Sequence, residues 1–259
     1  MLLAIDVGNT NIHVGLFGAG AEPVCTFCLG ADEKRSADEY ALLLSALSAQ
    51  RGCDTAEIDG VIVGSVVPTL TGTVLNAVRS LTDAAVTVVG PGVKTGFSIR
   101  LADPSELGAD LCANAAGALS EVGAPCIILD FGTATVVSAL AADGAFAGAS
   151  ILPGIPMSFE ALGKTGLLPT VSAGKNTAPV GRSTEDAIRS GVLDGQLYAV
   201  TGLAEQYRSA LKLPKDTPVV ISGGGAELLL SRLPSAYRHV PSLTLRGLRE
   251  IYLLSTRKK

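Results

Sequence analysis

The chain has 259 residues, of which 47% are hydrophobic and 17% are charged. This length accommodates one large domain or two modest domains, each with its own core. The net charge of −4 and a pI near 5.2 argue against nucleic acid as the main partner, because phosphate-backbone binding needs a basic surface. No apolar run approaches the roughly 18 to 20 residues that span a bilayer, and the first residues lack a secretion signal. We therefore expect a cytoplasmic protein without a membrane partner.

The cysteines and histidines narrow the chemistry further. Five cysteines, an odd number, in a chain without a secretion signal predict reduced thiols. Cys25 and Cys28 form a C-x-x-C pair, but they fall in a predicted strand, and no second Cys/His pair completes a zinc site. His13 and His239 stand alone in the sequence, which disfavours a histidine-centred triad or metal cluster.

Residues 3–17, LAIDVGNTNIHVGLF, form the first motif. An apolar run that contains Asp6 turns through Gly8, Asn9 and Thr10 and resumes in strict alternation, which predicts a strand, a tight turn and a second strand. The glycine lets the backbone come close to a ligand, and the turn supplies an amide and a hydroxyl. A carboxylate beside such donors suits a metal-bound polyphosphate. An ordinary hairpin with an Asx turn is the alternative interpretation.

Strands and helices then alternate through the first half of the chain. The patterns predict strands at 24–29, 60–68 and 85–89 and helices at 37–51 and 70–81. A further helix is expected to start with Asp103 as its N-cap, Pro104 in the first helical position and Glu106 three residues after the cap, and to continue to about Glu121.

The second half repeats the opening pattern. The segment Asp130–Ala134 matches Asp6–Thr10, at an offset of 124 residues (130 minus 6) that is close to half the chain. Such internal similarity indicates a duplicated domain. Further strands are predicted at 145–151 and 217–222, and helices at 184–211 and 245–254.

A glycine cluster, Ser222–Gly225, follows the predicted strand at 217–222. Ligands of open α/β sheets lie at the carboxyl ends of the strands, so this turn either faces a bound nucleotide or is a plain connection. Taken together, the elements predict an α/β protein with two domains, at 1–122 and 123–259, that face each other across a cleft. The two similar turns would grip a nucleotide's phosphates from both sides.

Ten ordered blocks carry a resemblance to a known family. They lie at 6–16, 64–68, 91–100, 104–110, 130–135, 153–162, 168–169, 181–191, 222–226 and 245–252. Together they resemble the type III pantothenate kinases of the acetate and sugar kinase/Hsp70/actin superfamily. The most specific blocks are the first, DVGNTNIHVGL, and GRSTEDAIRSG at 181–191. The resemblance implies two tandem RNase H-like, actin-like ATPase domains with a nucleotide cleft between them.

The resemblance also implies an activity. Members of this family transfer the γ-phosphoryl group of ATP to the primary hydroxyl of pantothenate, which gives 4'-phosphopantothenate in the first step of coenzyme A biosynthesis. They depend on Mg²⁺ and on a monovalent cation such as K⁺ or NH₄⁺. They are dimers in which the neighbouring subunit contributes to the active site.

The family pattern assigns roles to residues of this chain. The implied contacts of ATP phosphate are Asp6, Gly8, Asn9, Thr10, Gly132, Thr133, Gly223 and Gly224, with Asp6 also a ligand of Mg²⁺. The implied contacts of pantothenate are Gly108, Asn114 and Thr184, the last of them given across the dimer interface. Asp110 matches the general base, and Asp130 falls near the monovalent cation. Asp110 and Asn114 lie four residues apart on a predicted helix, so both could reach the substrate.

Two departures from the family pattern concern the acceptor and cation sites. Leu111 stands where the family has an arginine that contacts the acceptor's carboxylate. Loss of such charge-assisted bonds costs about 1.5 to 3 kcal/mol, or roughly ten- to several-hundredfold in binding. After Thr135 the chain continues with Val136, Val137 and Ser138, where the family has a threonine and, two residues later, an aspartate.

Three interpretations follow from these departures. The chain is an active homodimeric kinase in which Lys94, Arg100 or Arg182 replaces the missing arginine; it is a subunit that completes a heteromer with a second, more typical type III pantothenate kinase chain; or it is a nucleotide-binding regulatory relative. The chain retains the Thr184 block, which would act across the dimer interface, but lacks the arginine at position 111. This contrast motivates the heteromer interpretation.

Overall fold

Two five-stranded sheets organise the chain in the computed structural model, which describes residues 1–174 and 178–257. The first unit contains residues 1–121 together with the segment that begins at Leu243, and the second unit contains residues 122–242. The final helix therefore belongs to the first unit, whereas the expected boundaries of 1–122 and 123–259 assigned it to the second. The reason is that this helix packs on strands of the first sheet.

The first sheet has the strand order β3-β2-β1-β4-β5. Its strands are β1 (Leu2–Val7), β2 (Asn11–Phe17), β3 (Pro23–Gly30), β4 (Gly60–Ser65) and β5 (Ala85–Val88). β1, β2 and β3 pair antiparallel, whereas β1, β4 and β5 pair parallel. The helices of this unit are α1 (Ala37–Gln50), α2 (Pro68–Leu81) and α3 (Ala109–Val122), with 3-10 turns at Thr55–Glu57 and Pro104–Glu106.

The second sheet repeats this order as β8-β7-β6-β9-β10. Its strands are β6 (Cys126–Phe131), β7 (Ala134–Leu140), β8 (Phe146–Pro153), β9 (Val219–Ser222) and β10 (Arg238–His239). The helices are α4 (Ile155–Gly163) and α5 (Thr184–Ala210), with a 3-10 turn at Ala226–Leu228. The shared order and pairing directions confirm the duplication and the two tandem RNase H-like domains. In the described part of the chain, no helix is both long and apolar enough to cross a bilayer.

The first helix shows how local sequence sets an element. Ser36 caps α1 by accepting from the backbone N–H of Glu39, and the Glu39 carboxylate accepts from the backbone N–H of Ser36. This reciprocal pair satisfies backbone donors that the first turn otherwise leaves unpaired. Tyr40 and Leu44, one turn apart on α1, are buried in the core of the first sheet.

The last helix, α6 (Leu243–Thr256), packs directly on α3. A Cβ atom at Gly247 would overlap the carbonyl oxygen of Ala113, and one at Gly117 would lie 2.7 Å from the carbonyl oxygen of Leu243. The two backbones can approach this closely only because both positions are glycine. α6 thereby fixes the position of α3.

Three elements differ from the sequence prediction. Asp103 caps only the 3-10 turn Pro104–Glu106, because Leu107 is extended and interrupts the expected continuous helix; α3 starts afresh at Ala109. α4, which begins directly after Gly154, was not predicted, although Pro156 lies in its first turn, where proline is well accepted. The glycine cluster at 222–225 leads into a single 3-10 turn.

Candidate active site

The first phosphate-type turn follows β1. Asp6 is the second-last residue of β1, is 9% exposed and lies in register between His13 on β2 and Gly64 on β4. The backbone N–H of Gly8 donates to the carbonyl of Asn11, at 2.9 Å, so this donor closes the turn. Asn9 and Thr10 remain exposed. The turn that carries the Asn9 amide and the Thr10 hydroxyl therefore follows Asp6 closely in the chain.

The second turn has the same placement in the second unit. Asp130 is the second-last residue of β6, and it lies in register with Val136 on β7 and Ser222 on β9. Gly132 and Thr133 form the turn that follows. A Cβ atom at Gly154, the N-cap of α4, would lie 2.7 Å from the carbonyl oxygen of Gly132 and would also overlap the carbonyl of Thr133. The start of α4 therefore lies directly against this turn.

The glycine cluster after β9 packs on the end of β6. Gly223 has a φ of +90°, and a Cβ atom there would lie 2.5 Å from backbone atoms of Phe131. The N–H of Gly225 donates to the Phe131 carbonyl at 2.9 Å. Gly224 has open space around it. The cluster therefore lies beside the second turn, and both the positive φ and the close packing on Phe131 require glycine at position 223.

The candidate base, Asp110, is the second residue of α3. The backbone N–H of Leu111 donates to Oδ1 of Asp110, at 2.7 Å. Burial raises the pKa of the Asp110 carboxyl above its usual range, although hydrogen bonds to the ionised form oppose this. Burial, assisted by the Asp110 charge, also raises the pKa of Cys112 to about 11. A carboxylate with a raised pKa is a stronger proton acceptor than an ordinary surface aspartate.

Contacts around β4 bring Asp110 to the same sheet edge as Asp6. Gly64, which lies in register with Asp6, is so close to α3 that a Cβ atom there would be 3.6 Å from the Cβ of Ala109. A Cβ atom at Gly108 would lie 2.5 Å from Oδ1 of Asp110. The carboxyl ends of β1 and β4 and the start of α3 thus meet, as expected for a ligand site of a parallel sheet.

The side chain of Asn114 faces another helix. This residue is 1% exposed, and its side-chain oxygen accepts a hydrogen bond from the hydroxyl of Thr244 at 2.7 Å. Asn114 does share a helix face with Asp110, as predicted. The amide is nevertheless enclosed within the first unit, where it links α3 to α6.

The GRST block shapes the start of α5. A Cβ atom at Gly181 would overlap the backbone of Asp186 and Ala187. The Ser183 hydroxyl caps the helix by accepting from the Asp186 N–H, and it also contacts the Asp186 carboxylate at 2.8 Å. Thr184 itself is exposed as the first residue of α5. The block therefore presents Thr184 at the surface of a well-capped helix.

The residues that depart from the family pattern are all partly or fully buried. Leu111 is half-buried at the start of α3. Val136, Val137 and Ser138 are buried in β7, and Val137 belongs to the core of the second unit. The hydroxyl of Thr135 is buried and has no hydrogen-bond partner among the residues that the structure describes. The family's threonine is thus replaced by the apolar Val136 and its aspartate by the buried, uncharged Ser138.

Four residues that support the site were not singled out by the sequence patterns. Gly64 and Gly154 permit close backbone approaches at the two turns, while Gly247 and Thr244 hold α3. An isolated glycine inside a strand or helix pattern is the one sequence signal that could have identified three of them. Thr244 gives no local signal, because its partner is 130 residues away.

Comparisons of the sequence and of the fold with known proteins show what the chain is similar to. Residues 2–206 match the family model described as type III pantothenate kinase. The chain is 38% identical over 257 residues to the type III pantothenate kinase of Moorella thermoacetica, covering 99% of this chain and 100% of the relative. It is 39% identical over 257 residues to that of Dehalococcoides mccartyi, covering 98% of each. A solved structure from Campylobacter jejuni, assigned to the Baf family of transcriptional activators, has a TM-score of 0.62 at 17% identity and covers 97% of each chain. The last comparison shows the shared fold.

Proposed function

Because the chain belongs to the type III pantothenate kinase family, we propose that it transfers the γ-phosphoryl group of ATP to the primary hydroxyl of pantothenate. This reaction is the first step of coenzyme A biosynthesis. The observation that carries the proposal within the structure is that Asp6 and the start of α3, which bears Asp110, lie at the same edge of the first sheet. Asp6 lies beside an exposed polar turn, and Asp110 has a raised pKa.

The proposed phosphate contacts are the polar turns of both units. Asn9 and Thr10 are exposed and offer an amide and a hydroxyl. Gly132 and Thr133 form the matching turn, and Gly224 has room for a ligand to approach its backbone. Gly8 and Gly223 have structural roles in the proposed site. The N–H of Gly8 closes its turn by a hydrogen bond to Asn11, and the backbone of Gly223 packs against that of Phe131.

The proposed ligand of Mg²⁺ is Asp6. Among residues 1–174 and 178–257, no cluster of three or more His, Cys, Asp or Glu side chains could hold a metal. This fits Mg²⁺, which proteins usually bind through one or two carboxylates together with substrate phosphates and water. When bound with ATP, the ion supplies neutralisation of the phosphate charge.

The proposed general base is Asp110. Phosphoryl transfer passes through a loose transition state, so the base mainly orients the acceptor hydroxyl and removes its proton. The Leu111 N–H holds Oδ1, and the packing of α3 on α6 fixes the helix that carries the carboxylate. Gly108 leaves the space next to this carboxylate free of a side chain.

The proposed acceptor site includes Gly108 and Thr184, while we assign Asn114 a supporting role because its amide is enclosed. Leu111 supplies no cation for the acceptor's carboxylate, so we propose that Lys94, Arg100 or Arg182 compensates for this loss only in part. Lys94 and Arg182 are exposed, which leaves their side chains the freedom to reach a bound anion.

The proposed monovalent cation contact, for K⁺ or NH₄⁺, is Asp130. Five residues further on, the unpaired hydroxyl of Thr135 is a buried oxygen that a cation could use. Activity at increasing KCl or NH₄Cl, against NaCl at equal ionic strength, tests this assignment. Thr135→Val should weaken activation by K⁺ while Thr71→Val, on α2 of the other unit, leaves it unchanged. Equal activity in all three salts would contradict it.

The proposed assembly is a homodimer in the cytoplasm. Several large apolar side chains of the second unit are exposed, as expected for a surface that a partner covers: Ile151, Met157, Leu167, Val180 and Tyr198. A mixed dimer with a second type III chain is the alternative assembly that Leu111 motivates. Size-exclusion chromatography with light scattering, on the chain alone and after co-expression with such a second chain, distinguishes the two.

A coupled ADP-release assay tests the proposed reaction. The purified chain should consume ATP only when pantothenate is present, and mass spectrometry should find 4'-phosphopantothenate. Asp110→Asn should abolish turnover and retain ATP binding. Asp103→Asn is the matched control, because Asp103 is an exposed aspartate that only caps the nearby 3-10 turn. ATP binding without any pantothenate-dependent turnover, in the homomer and in the mixed dimer, would overturn the proposal.

A further inference from the structure

Two buried cysteines lie in contact in the first unit, outside the proposed catalytic residues. Cys25 lies on β3, and Cys53 follows the end of α1; they are 9% and 3% exposed. The Cys53 thiol contacts the Cys25 sulfur with the two Sγ atoms 3.1 Å apart. This separation is only about 1 Å longer than a disulfide bond.

In the structure, Cys25 contacts Cys53 and not Cys28, its neighbour in the C-x-x-C sequence. Cys25 and Cys28 are three residues apart on a strand, so their side chains point to opposite faces of the sheet. Cys28 is exposed and its thiol is directed at the carbonyl of Leu29. The redox partner of Cys25 is therefore the distant Cys53, and Cys28 stands apart from both.

Backbone hydrogen bonds hold both cysteines in place. Cys25 lies in the antiparallel ladder opposite Leu16 on β2. The N–H of Cys53 donates to the carbonyl of Ser48 at 2.9 Å, in a turn where Gly52 has a φ of +77°. The Arg51 guanidinium also donates to the carbonyl of Thr26, next to Cys25, at 3.4 Å. The two sulfurs are thus held within contact distance of each other in the folded chain.

We propose that Cys25 and Cys53 form a reversible intramolecular disulfide when the protein meets a peroxide or a small disulfide oxidant. The two thiols lose two protons and two electrons, and one S–S bond forms. Hydrogen peroxide that accepts them becomes two molecules of water, a small disulfide becomes two thiols, and the azo probe diamide becomes a hydrazine. The bond ties β3 to the segment between α1 and β4 across 28 residues. This inference is independent of the proposed kinase activity.

Burial determines how the pair reacts. Burial, together with the neighbouring Cys53, raises the pKa of Cys25 to about 11. Because the thiolate is the reactive form, the Cys25 thiol resists mild oxidants. The disulfide should form slowly, over minutes to hours with excess oxidant, and dithiothreitol should reverse it.

The experiment uses the full-length purified protein, treated with diamide or hydrogen peroxide and then alkylated. Mass spectrometry should show the loss of two hydrogen atoms from the intact chain and a link between the tryptic peptides 1–34 and 52–79. Both Cys25 and Cys28 lie on peptide 1–34, so Cys28→Ser serves as the matched control: it should retain the link, whereas Cys53→Ser should lose it. The oxidised wild type should melt about 5 to 10 °C higher than the reduced form.

Each other outcome would overturn the proposal. A link through Cys28, between two chains or to Cys25, would show that the exposed cysteine is the reactive one. Oxidation of Cys25 or Cys53 to sulfinic acid without a link would show that the sulfurs do not meet in solution. Since mapping of the link is done on the wild-type chain, the test does not depend on the folding of Cys53→Ser.

Discussion

The hydroxyl of Thr244 donates a hydrogen bond to the side-chain oxygen of Asn114 across 2.7 Å, although the two residues are 130 positions apart in the sequence. Asn114 lies one turn after the candidate base, Asp110, on α3. The bond therefore connects the last helix of the chain to the helix that carries the base. It adds a polar contact to the apolar packing that holds α6 in the first unit.

Thr244→Val should destabilise the protein and reduce turnover. The variant leaves the enclosed Asn114 oxygen without this donor, which costs about 1 to 3 kcal/mol. Urea unfolding should show a lower midpoint with an unchanged slope, and kcat should fall more than the KM for ATP changes. Thr256→Val, on the exposed end of α6, is the control and should leave both nearly unaltered. An unaltered unfolding midpoint for Thr244→Val would show that the bond contributes nothing.

Gly247→Ala adds a single methyl group but should lower the free energy of unfolding strongly. The added methyl group would overlap the Ala113 carbonyl and force α6 away from α3. We expect a loss of several kcal/mol in the free energy of unfolding, in the range of severe core overpacking. Gly202→Ala, at an exposed site of α5 with open space, should instead stabilise by up to about 1 kcal/mol. Similar melting temperatures for the two variants would contradict the close packing of α3 on α6.

Asp110→Asn should inactivate the enzyme and stabilise its fold. Removal of the base should lower kcat by roughly 10² to 10⁴-fold. Burial raises the pKa of Asp110 in the folded state, so ionisation costs the native state stability as the pH rises above the ordinary value for aspartate. The variant should therefore melt at a higher temperature than the wild type at neutral pH, and this difference should vanish at acidic pH.

Asp103→Asn should have the opposite effect on the melting temperature to Asp110→Asn. Hydrogen bonds from Ser105 lower the pKa of Asp103, so its ionised form stabilises the native state above the ordinary pKa of aspartate, and this stability is lost as the pH falls. The wild type should melt above this variant at neutral pH. A pH-independent melting difference for either variant would contradict the assigned pKa direction.

Local patterns predicted the framework well, because the residues that specify it are neighbours in the sequence. Asp6 and Asp130 each precede a glycine turn between two apolar strands, and that spacing identified the duplicated sheets. The long helix α5 was predicted at 184–211, and the structure adds that Ser183 caps its start. The prediction of one helix from Asp103 to about Glu121 was wrong, because Asp103 caps only the single 3-10 turn Pro104–Glu106.

Long-range packing was the part that the sequence could not reveal. Nothing near Gly247 indicates that its backbone touches Ala113, and nothing near Cys53 indicates that its sulfur meets Cys25. The contacts of Asn114 show the same limit, while its predicted role in binding pantothenate stays a prediction. Helical spacing correctly placed it on the face of Asp110, but the tertiary contact with Thr244 turned its amide to α6.

Leu111→Arg tests the departure that matters most for the acceptor. The residue is half-buried next to Asp110, and its backbone N–H already donates to the Asp110 carboxylate. A guanidinium at this position should add charge-assisted bonds to the carboxylate of pantothenate and lower its KM roughly ten- to hundredfold, with little change in the KM for ATP. Leu111→Met, which preserves volume without charge, is the control and should behave as the wild type. An unchanged KM for pantothenate in Leu111→Arg would show that another cation of the chain already binds the acceptor.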